Sequence, residues 1–483
     1  MPIGTTNWLL RLDGPHLEST SGTTISLTTS PRLHLTHHAT TVGYTRAMQA
    51  CDLLISAPYV LPVAPDNVVL HDHALAIEAG RIVEIGPSAD MATRYEPNQR
   101  MDMTHRVLLP GLVNAHGHAA MSLLRGAGED QPLQEWLSET IWPLEADHMD
   151  VDAVALGTQL AIGEMLLSGT TTFSDMYFFP EVVAQTAASV GMRCQVAFPV
   201  IKFPNAYSEN AQDGIHKGLA LHDAFRHHGL VNIAFGPHAA YTVDQDDLEK
   251  IAMYCNELSA SVQIHLHENA AEVAAAHESQ GRNWIQSLSE LGLLGPQLQA
   301  VHMTQLDATD IDLIVQSGTQ VVHCPSSNMK LASGYCPVHA LQTAGVNVGL
   351  GTDGAASNNC LDMFNEMHLA ALLMKHENQS ATLGRAADML KMATLDSARA
   401  LGLHESTGSL EAGKQADFIT IDTDALNTLP LHDPFATLVH SDVGRAVKDV
   451  YIAGRAQVAD GQLLQIDKDE LAARVRQWHQ AAK

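Results

Sequence analysis

The residues of this chain with most chemistry in them are histidines and one aspartate placed at the ends of short apolar runs. His116 and His118 flank Gly117 in PGLVNAHGH, His238 ends AFGPH, His265 lies in QIHLHE, His302 ends QAVH, and Asp353 ends GLGTD. Residues two apart on an extended strand face the same side, so His116 and His118 project together. Imidazole nitrogens joined by a carboxylate oxygen make a donor set suited to Zn²⁺, with water completing the site. A lone His-x-His pair carries little weight. The ordered set carries more: His-x-His on the first run, His on the fifth and sixth, Asp on the eighth. His265 and His267 compete for one ligand position, and His265 is preferred because it leaves Glu268 near the metal water. A second metal in a barrel usually needs a bridging group, often a lysine at the end of the fourth strand. Here that strand ends with His238, so one divalent metal per chain is expected, Zn²⁺ first and Fe²⁺ or Mn²⁺ as alternatives.

These side chains need a scaffold that gathers strand ends. Residues 108–404 alternate apolar strand runs with helical stretches such as DAVALGTQLAIGEMLLSG and DLEKIAMYCNELSA. Eight such units predict an α/β fold, a (β/α)8 TIM barrel, whose chemistry sits at the C-terminal strand ends. The flanks 48–107 and 405–483 are rich in short strand patterns, among them DLLISAPYVLP and ADFITIDTD. They predict a small β-sandwich domain formed from both chain ends, followed by a C-terminal helix. The long connection Ala119–Asp150 holds Trp136, Trp142 and Glu145 and is expected to fold over the site. Residues 1–47 are rich in Thr, Ser and His with little apolar periodicity. They read as a disordered extension, or as sequence upstream of a start at Met48.

Composition narrows the function classes. The chain has 483 residues and a formal charge of −27, which excludes a nucleic-acid backbone as partner. No apolar run approaches the roughly 20 residues of a membrane span. Six scattered cysteines without a CxxC pair fit buried thiols in a reducing, cytoplasmic setting. Association into a homo-oligomer is left open.

The motifs PGLVNAHGH, TTFSDM, GPHAAYTV, HLHE, CPSSNMKLASG, GLGTDGAASNN and GSLEAGKQADFITID resemble the amidohydrolase superfamily. Within it they are most similar to the branch of 5′-methylthioadenosine/S-adenosylhomocysteine deaminases and related chlorohydrolases. The resemblance runs from about residue 51 to the C-terminus. It implies a mononuclear metal-dependent deaminase that converts a nucleoside to its inosine analogue and ammonia. It further implies His116, His118, His265 and Asp353 as metal ligands, with Asp353 also taking a proton from the metal water. Glu268 is implied as proton shuttle and His302 as the group beside that water. Glu145 matches the family's ribose-binding glutamate and His238 its substrate-contacting histidine. One departure stands out: relatives carry substrate-holding arginines in this region, whereas FPVIKFPNAYSENAQDGIHKG has none at the matching places and only Lys202 and Lys217 as cations. Deamination or dechlorination of another ring (guanine, 8-oxoguanine, cytosine or a triazine) uses the same metal site and is the alternative. A non-catalytic scaffold is disfavoured by the complete ligand set together with Glu268 and His302.

The remaining polar residues have plainer readings. Ser326, Ser327 and Asn328 suit a turn, Asp175 suits a helix cap, His267 suits a structural role, and His323 is unassigned. A chain beginning at Met48 is expected to keep the melting temperature and steady-state kinetics of the longer chain. A large fall in either would show that residues 1–47 pack on the folded body.

Overall fold

Chain-end strands build one sheet and eight middle strands build another in the computed structural model, which describes residues 48–482. The expectation for residues 1–47 lies outside them. The first sheet takes β1 (Gln49–Val60), β2 (Leu70–Glu78), β3 (Arg81–Pro87), β4 (Tyr95–Asp102) and β5 (Arg106–Pro110) from the front of the chain. The second sheet holds β6 (Leu112–Asn114), β7 (Thr170–Asp175), β8 (Arg193–Val200), β9 (Val231–Pro237), β10 (Val262–Leu266), β11 (Leu298–His302), β12 (Gln320–His323) and β13 (Val348–Leu350). The back of the chain returns to the first sheet with β14 (Phe418–Asp422), β15 (Val447–Ile452), β16 (Arg455–Ala459) and β17 (Gln462–Leu463).

In the second sheet every neighbouring pair is parallel and in chain order, β6 to β13. Strands such as β7, β8 and β10 are buried along their whole length. Strands covered on both faces need near-continuous apolar runs, and these sequences supply them. Helices connect successive strands, so the sheet curls into the predicted α/β barrel. Its seam is closed by Ala115 N–H donating to Leu350 O at 2.9 Å and Asp353 N–H donating to His116 O at 3.0 Å. The Asn114 side chain crosses the same seam, donating to Thr352 Oγ1 at 2.7 Å and accepting from Thr352 N–H at 2.9 Å. Gly351 is needed there because a Cβ would lie 2.9 Å from His116 N.

The nine-stranded sheet joins the chain ends through β5, which pairs parallel with the end of β1 and antiparallel with β14. It folds over a second apolar core that includes Ile55, Leu75, Ile82, Leu108 and Phe418. Two details differ from the sequence reading. The run VLLPGLVN is two strands, not one, broken at Gly111, where a Cβ would lie 2.1 Å from Thr171 Oγ1. The polar segment YEPNQRMD forms β4 and pairs parallel with β1, although its composition gives no strand signal.

The two sheets are tied by a buried ion pair. Arg193 on β8 meets Asp417, just before β14, in a two-pronged contact of 2.9 and 3.1 Å, with side chains 3% and 0% exposed. Asp417 also accepts from Thr407 Oγ1 at 2.8 Å and Ala453 N–H at 2.6 Å. Removing one member of such a pair strands the other charge in a dry interior. Asp417→Ala should therefore lower the unfolding free energy by about 3–5 kcal/mol, read as a lowered denaturant midpoint. A midpoint within error of the parent would show that the pair does not join the two sheets energetically.

Candidate metal centre and substrate cavity

The barrel's C-terminal mouth collects the chemistry. His116, His118, His265 and Asp353 each offer one donor atom, and these atoms lie within 4.8 Å of one another. The Nε2 atoms of His116 and His118 stand 3.3 and 3.2 Å from Asp353 Oδ1, and the Nε2 atoms of His265 and His116 are 3.2 Å apart. Each imidazole is held from behind through Nδ1. His116 meets Gln263 Oε1 at 2.8 Å, His118 meets Met176 O at 2.5 Å, and His265 meets His238 O at 2.6 Å. All three partners are acceptors, so the protons sit on Nδ1 and the Nε2 lone pairs converge. Burial drives the His265 pKa well below its ordinary value and keeps the ring neutral, as a ligand must be. Burial alone would raise the Asp353 carboxyl, but contacts with His116 and His118 overcome it and hold Asp353 well below the usual carboxylate range. Three imidazole nitrogens and one carboxylate oxygen fit a divalent metal of the zinc type. Against burial, Asp353 raises the His118 pKa to about 9, so a cation bound there must displace a proton from that ring.

Strain accompanies this convergence. Asp353, His302, Met303 and His267 all have positive φ, at 62°, 77°, 49° and 50°. Non-glycine residues held so are costly and concentrate where a structure must aim a side chain. Of the two histidines in HLHE, the structure places His265 in the cluster. His267 turns away, its Nδ1 2.7 Å from Gln305 O.

A cavity of about 370 Å³ opens beside the cluster. His302, Glu268, His238 and Glu145 all line it together with His118, His265 and Asp353. His302 Nε2 faces Glu268 Oε2 at 4.0 Å, and its Nδ1 rests 2.8 Å from Asn328 Oδ1. Burial, and then the charge of Asp353, push the Glu268 carboxyl up to about 8. Burial pushes Glu145 up to about 7, against a 2.7 Å hydrogen bond donated by Tyr177 Oη. It also lowers His238 to about 4, and the buried His238 Nδ1 has no hydrogen-bond partner. The connection Ala119–Asp150 supplies a cavity wall through Leu133, Trp136, Ile141 and Trp142. A π-helical turn at Trp136–Ile141 precedes the helix Trp142–His148 that carries Glu145.

The supporting residues were not visible as such in the sequence. Ser327 and Ser357 donate to Asp353 Oδ2 at 2.6 and 2.8 Å, so the turn-like SSN motif is an orienting device. Glu366, wholly buried, binds Ser326 and Asn358 and so clamps the loops after β12 and β13 together. Gln263 had one readable signal: a buried amide two residues before His265, on the same face of a short strand. Asp175 caps not the helix that follows it but the 3₁₀ turn Ala119–Leu124, accepting from Ala119 N–H at 2.6 Å. His323 is buried with neither ring nitrogen partnered, and nothing in the site explains it.

Comparison with known proteins agrees with this architecture. The profile of the amidohydrolase family matches residues 107–456. The chain belongs to the amidohydrolase family. It is 47% identical to a 5-methylthioadenosine/S-adenosylhomocysteine deaminase of Saccharophagus degradans, over 88% of this chain and 96% of that protein. A protein of the same name from Teredinibacter turnerae is 46% identical over 89% and 97%. The crystal structure of an adenosine deaminase from Xanthomonas campestris, with bound zinc, superposes with a TM-score of 0.89 at 44% identity, covering 90% of this chain and 99% of that one. As an amidohydrolase the chain is a metal-dependent hydrolase, and no helix among its described residues is long and apolar enough to cross a membrane.

Purified protein should carry about one divalent ion per chain, and His265→Ala should lose most of it on metal analysis while His267→Ala keeps it. Full occupancy in His265→Ala would move the ligand role elsewhere. Ser327→Ala should weaken metal affinity or activity about 10- to 100-fold by releasing Asp353 Oδ2. Parent-like affinity and turnover would reduce Ser327 to a turn residue.

Proposed function

We infer that this chain is a metal-dependent hydrolytic deaminase of adenine nucleosides with a 5′-thioether, 5′-methylthioadenosine and S-adenosylhomocysteine being the substrates its relatives are named for. The observation that carries the reading is one cavity holding three things: the His₃Asp cluster, a buried carboxyl kept protonated near neutral pH at Glu268, and a second buried acceptor at Glu145. A hydrolase of an uncharged ring needs the first two. A ribose-bearing substrate needs the third.

In this reading His116, His118, His265 and Asp353 hold one ion, Zn²⁺ by the donor chemistry. A divalent cation bound there acidifies water, so that a hydroxide-like nucleophile exists near pH 7. Asp353 takes the proton that the water gives up, its Oδ2 steadied by Ser327 and Ser357. His302, fixed by Asn328, orients the attacking oxygen toward the ring carbon bearing the amine. Glu268 gives its proton to the adjacent ring nitrogen, which drains electrons from that carbon as the C–O bond forms. Asp353 passes on the proton it took, Glu268 relays one proton to the amine and recovers its own from the new C–OH group, the C–N bond breaks, and ammonia leaves. Glu145, with Oε1 pinned by Tyr177, accepts hydrogen bonds from the ribose hydroxyls. His238 lines the same cavity and contacts the substrate from its wall.

Glu268→Gln should retain metal yet lower kcat by at least about 100-fold, the low end for general acid–base catalysis. Near-normal turnover would remove Glu268 from the reaction. Ammonia release should be far faster with 5′-methylthioadenosine than with adenine, and a 2′,3′-dideoxy analogue should fall between, since a buried acceptor left without donors is costly. Glu145→Ala should erase that preference without loss of metal. A wild-type preference for adenine, guanine or a triazine would defeat the nucleoside reading.

A further inference from the structure

The cavity's chemistry changes along its length. Its floor carries the metal donors, Glu268 and His302, while its outer wall is apolar. Trp142 and Phe203 line it and are 47% and 44% exposed, which places them at its mouth. Trp142 lies three residues before Glu145 on one helix, so the two side chains share a face. A ribose held by Glu145 therefore sets its 5′ substituent against the Trp142 and Phe203 side of the opening.

Among the described residues no lysine or arginine lines this cavity. The nearest cations in sequence are turned to other work. Lys202 sits between the lining residues Ile201 and Phe203 but pairs with Asp244 at 3.3 Å. Lys330 precedes the lining residue Leu331 and is held by Glu129 at 3.0 Å, Ala356 O at 3.0 Å and Asn359 Oδ1 at 2.6 Å. Lys217 is bound to Asp213 and Tyr207 O, at 2.8 and 2.7 Å. A carboxylate on the 5′ tail would thus meet an indole and a phenyl ring at the cavity mouth, with no lysine or arginine in the lining to pair with it. A short thioether gives up little and covers the same apolar wall.

We propose that this site selects its nucleosides by the ionic groups of the 5′ tail, accepting an uncharged thioether and discriminating against a tail that ends in the ammonium and carboxylate of an amino acid. The proposal rests on the deaminase reading above. It assigns Trp142 and Phe203 as specificity-determining residues for that reaction.

Three substrates test it by ammonia release: 5′-methylthioadenosine, 5′-butylthioadenosine and S-adenosylhomocysteine. The butyl compound keeps a long apolar tail but lacks both the ammonium and the carboxylate that end the homocysteine tail. Its kcat/KM should stay close to that of the methyl compound, whereas S-adenosylhomocysteine should be lower by about tenfold or more, the scale of an unpaired charged group. Deamination of none of the three would overturn the nucleoside reading itself. Equal rates for all three, or an equal loss for the butyl compound, would leave that reading standing and overturn charge selection. Phe203→Arg, checked for an unchanged melting temperature, should raise the S-adenosylhomocysteine to methylthioadenosine ratio about tenfold; an unmoved ratio would count against charge as the selector. Lys202→Ala should leave the ratio as it is, and a loss confined to S-adenosylhomocysteine would show that Lys202 reaches the tail and overturn the proposal.

Discussion

Everything at the active end depends on the seam between the first and last barrel strands. Asp353 N–H to His116 O, with the Asn114–Thr352 pair beside it, brings together residues more than two hundred positions apart in the chain. Without that seam, His116 and His118 would face Asp353 across an open sheet edge. With it, one carboxylate oxygen stands 3.3 and 3.2 Å from two imidazole nitrogens. The close approach at Gly351 shows how little slack the seam has. Closure also holds the site together, since His265 and His302 lie at strand ends and the other residues lie on loops that begin at strand ends the barrel already fixes.

Much of this was legible in the sequence because two signals coincide. Buried parallel strands leave continuous apolar runs, and the barrel keeps its reactive residues at their ends. His116, His118, His265, His302 and Asp353 all follow such runs, so their order along the chain is nearly a map of the site. What stayed hidden depends on partners distant in sequence. YEPNQRMD is polar and forms a strand only because β1 offers it a ladder. Ser327, Asn328 and Ser357 look like turn formers but lie in the short helices Pro325–Lys330 and Ala355–Asn358; their task at the site appears only when Asp353 and His302 arrive beside them. Glu366 lies in a helix whose sequence shows an ordinary acidic residue, and only the fold reveals that it clamps two loops.

The cavity also illustrates how one physical effect serves opposite ends. Burial keeps His265 and His238 neutral, as a ligand and a substrate contact require. The same burial keeps a proton on Glu268, whereas Asp353 escapes it through two imidazole contacts. Two carboxyls near one another thus take different forms because Asp353 bonds two imidazoles directly, while Glu268 feels the negative charge of Asp353.

The groups behind the three imidazoles carry a further meaning. Gln263, Met176 O and His238 O are all uncharged. Asp353 is therefore the sole formal negative charge in the donor set. A doubly charged ion seated there would be only half neutralised by its own donors, with Asp175 acting on it from behind His118. The leftover positive charge would press on an electrically neutral heterocycle without trapping an anionic product. It would also repel any other cation approaching the same mouth, which gives an electrostatic reason for a single-ion centre that does not depend on the missing bridging lysine.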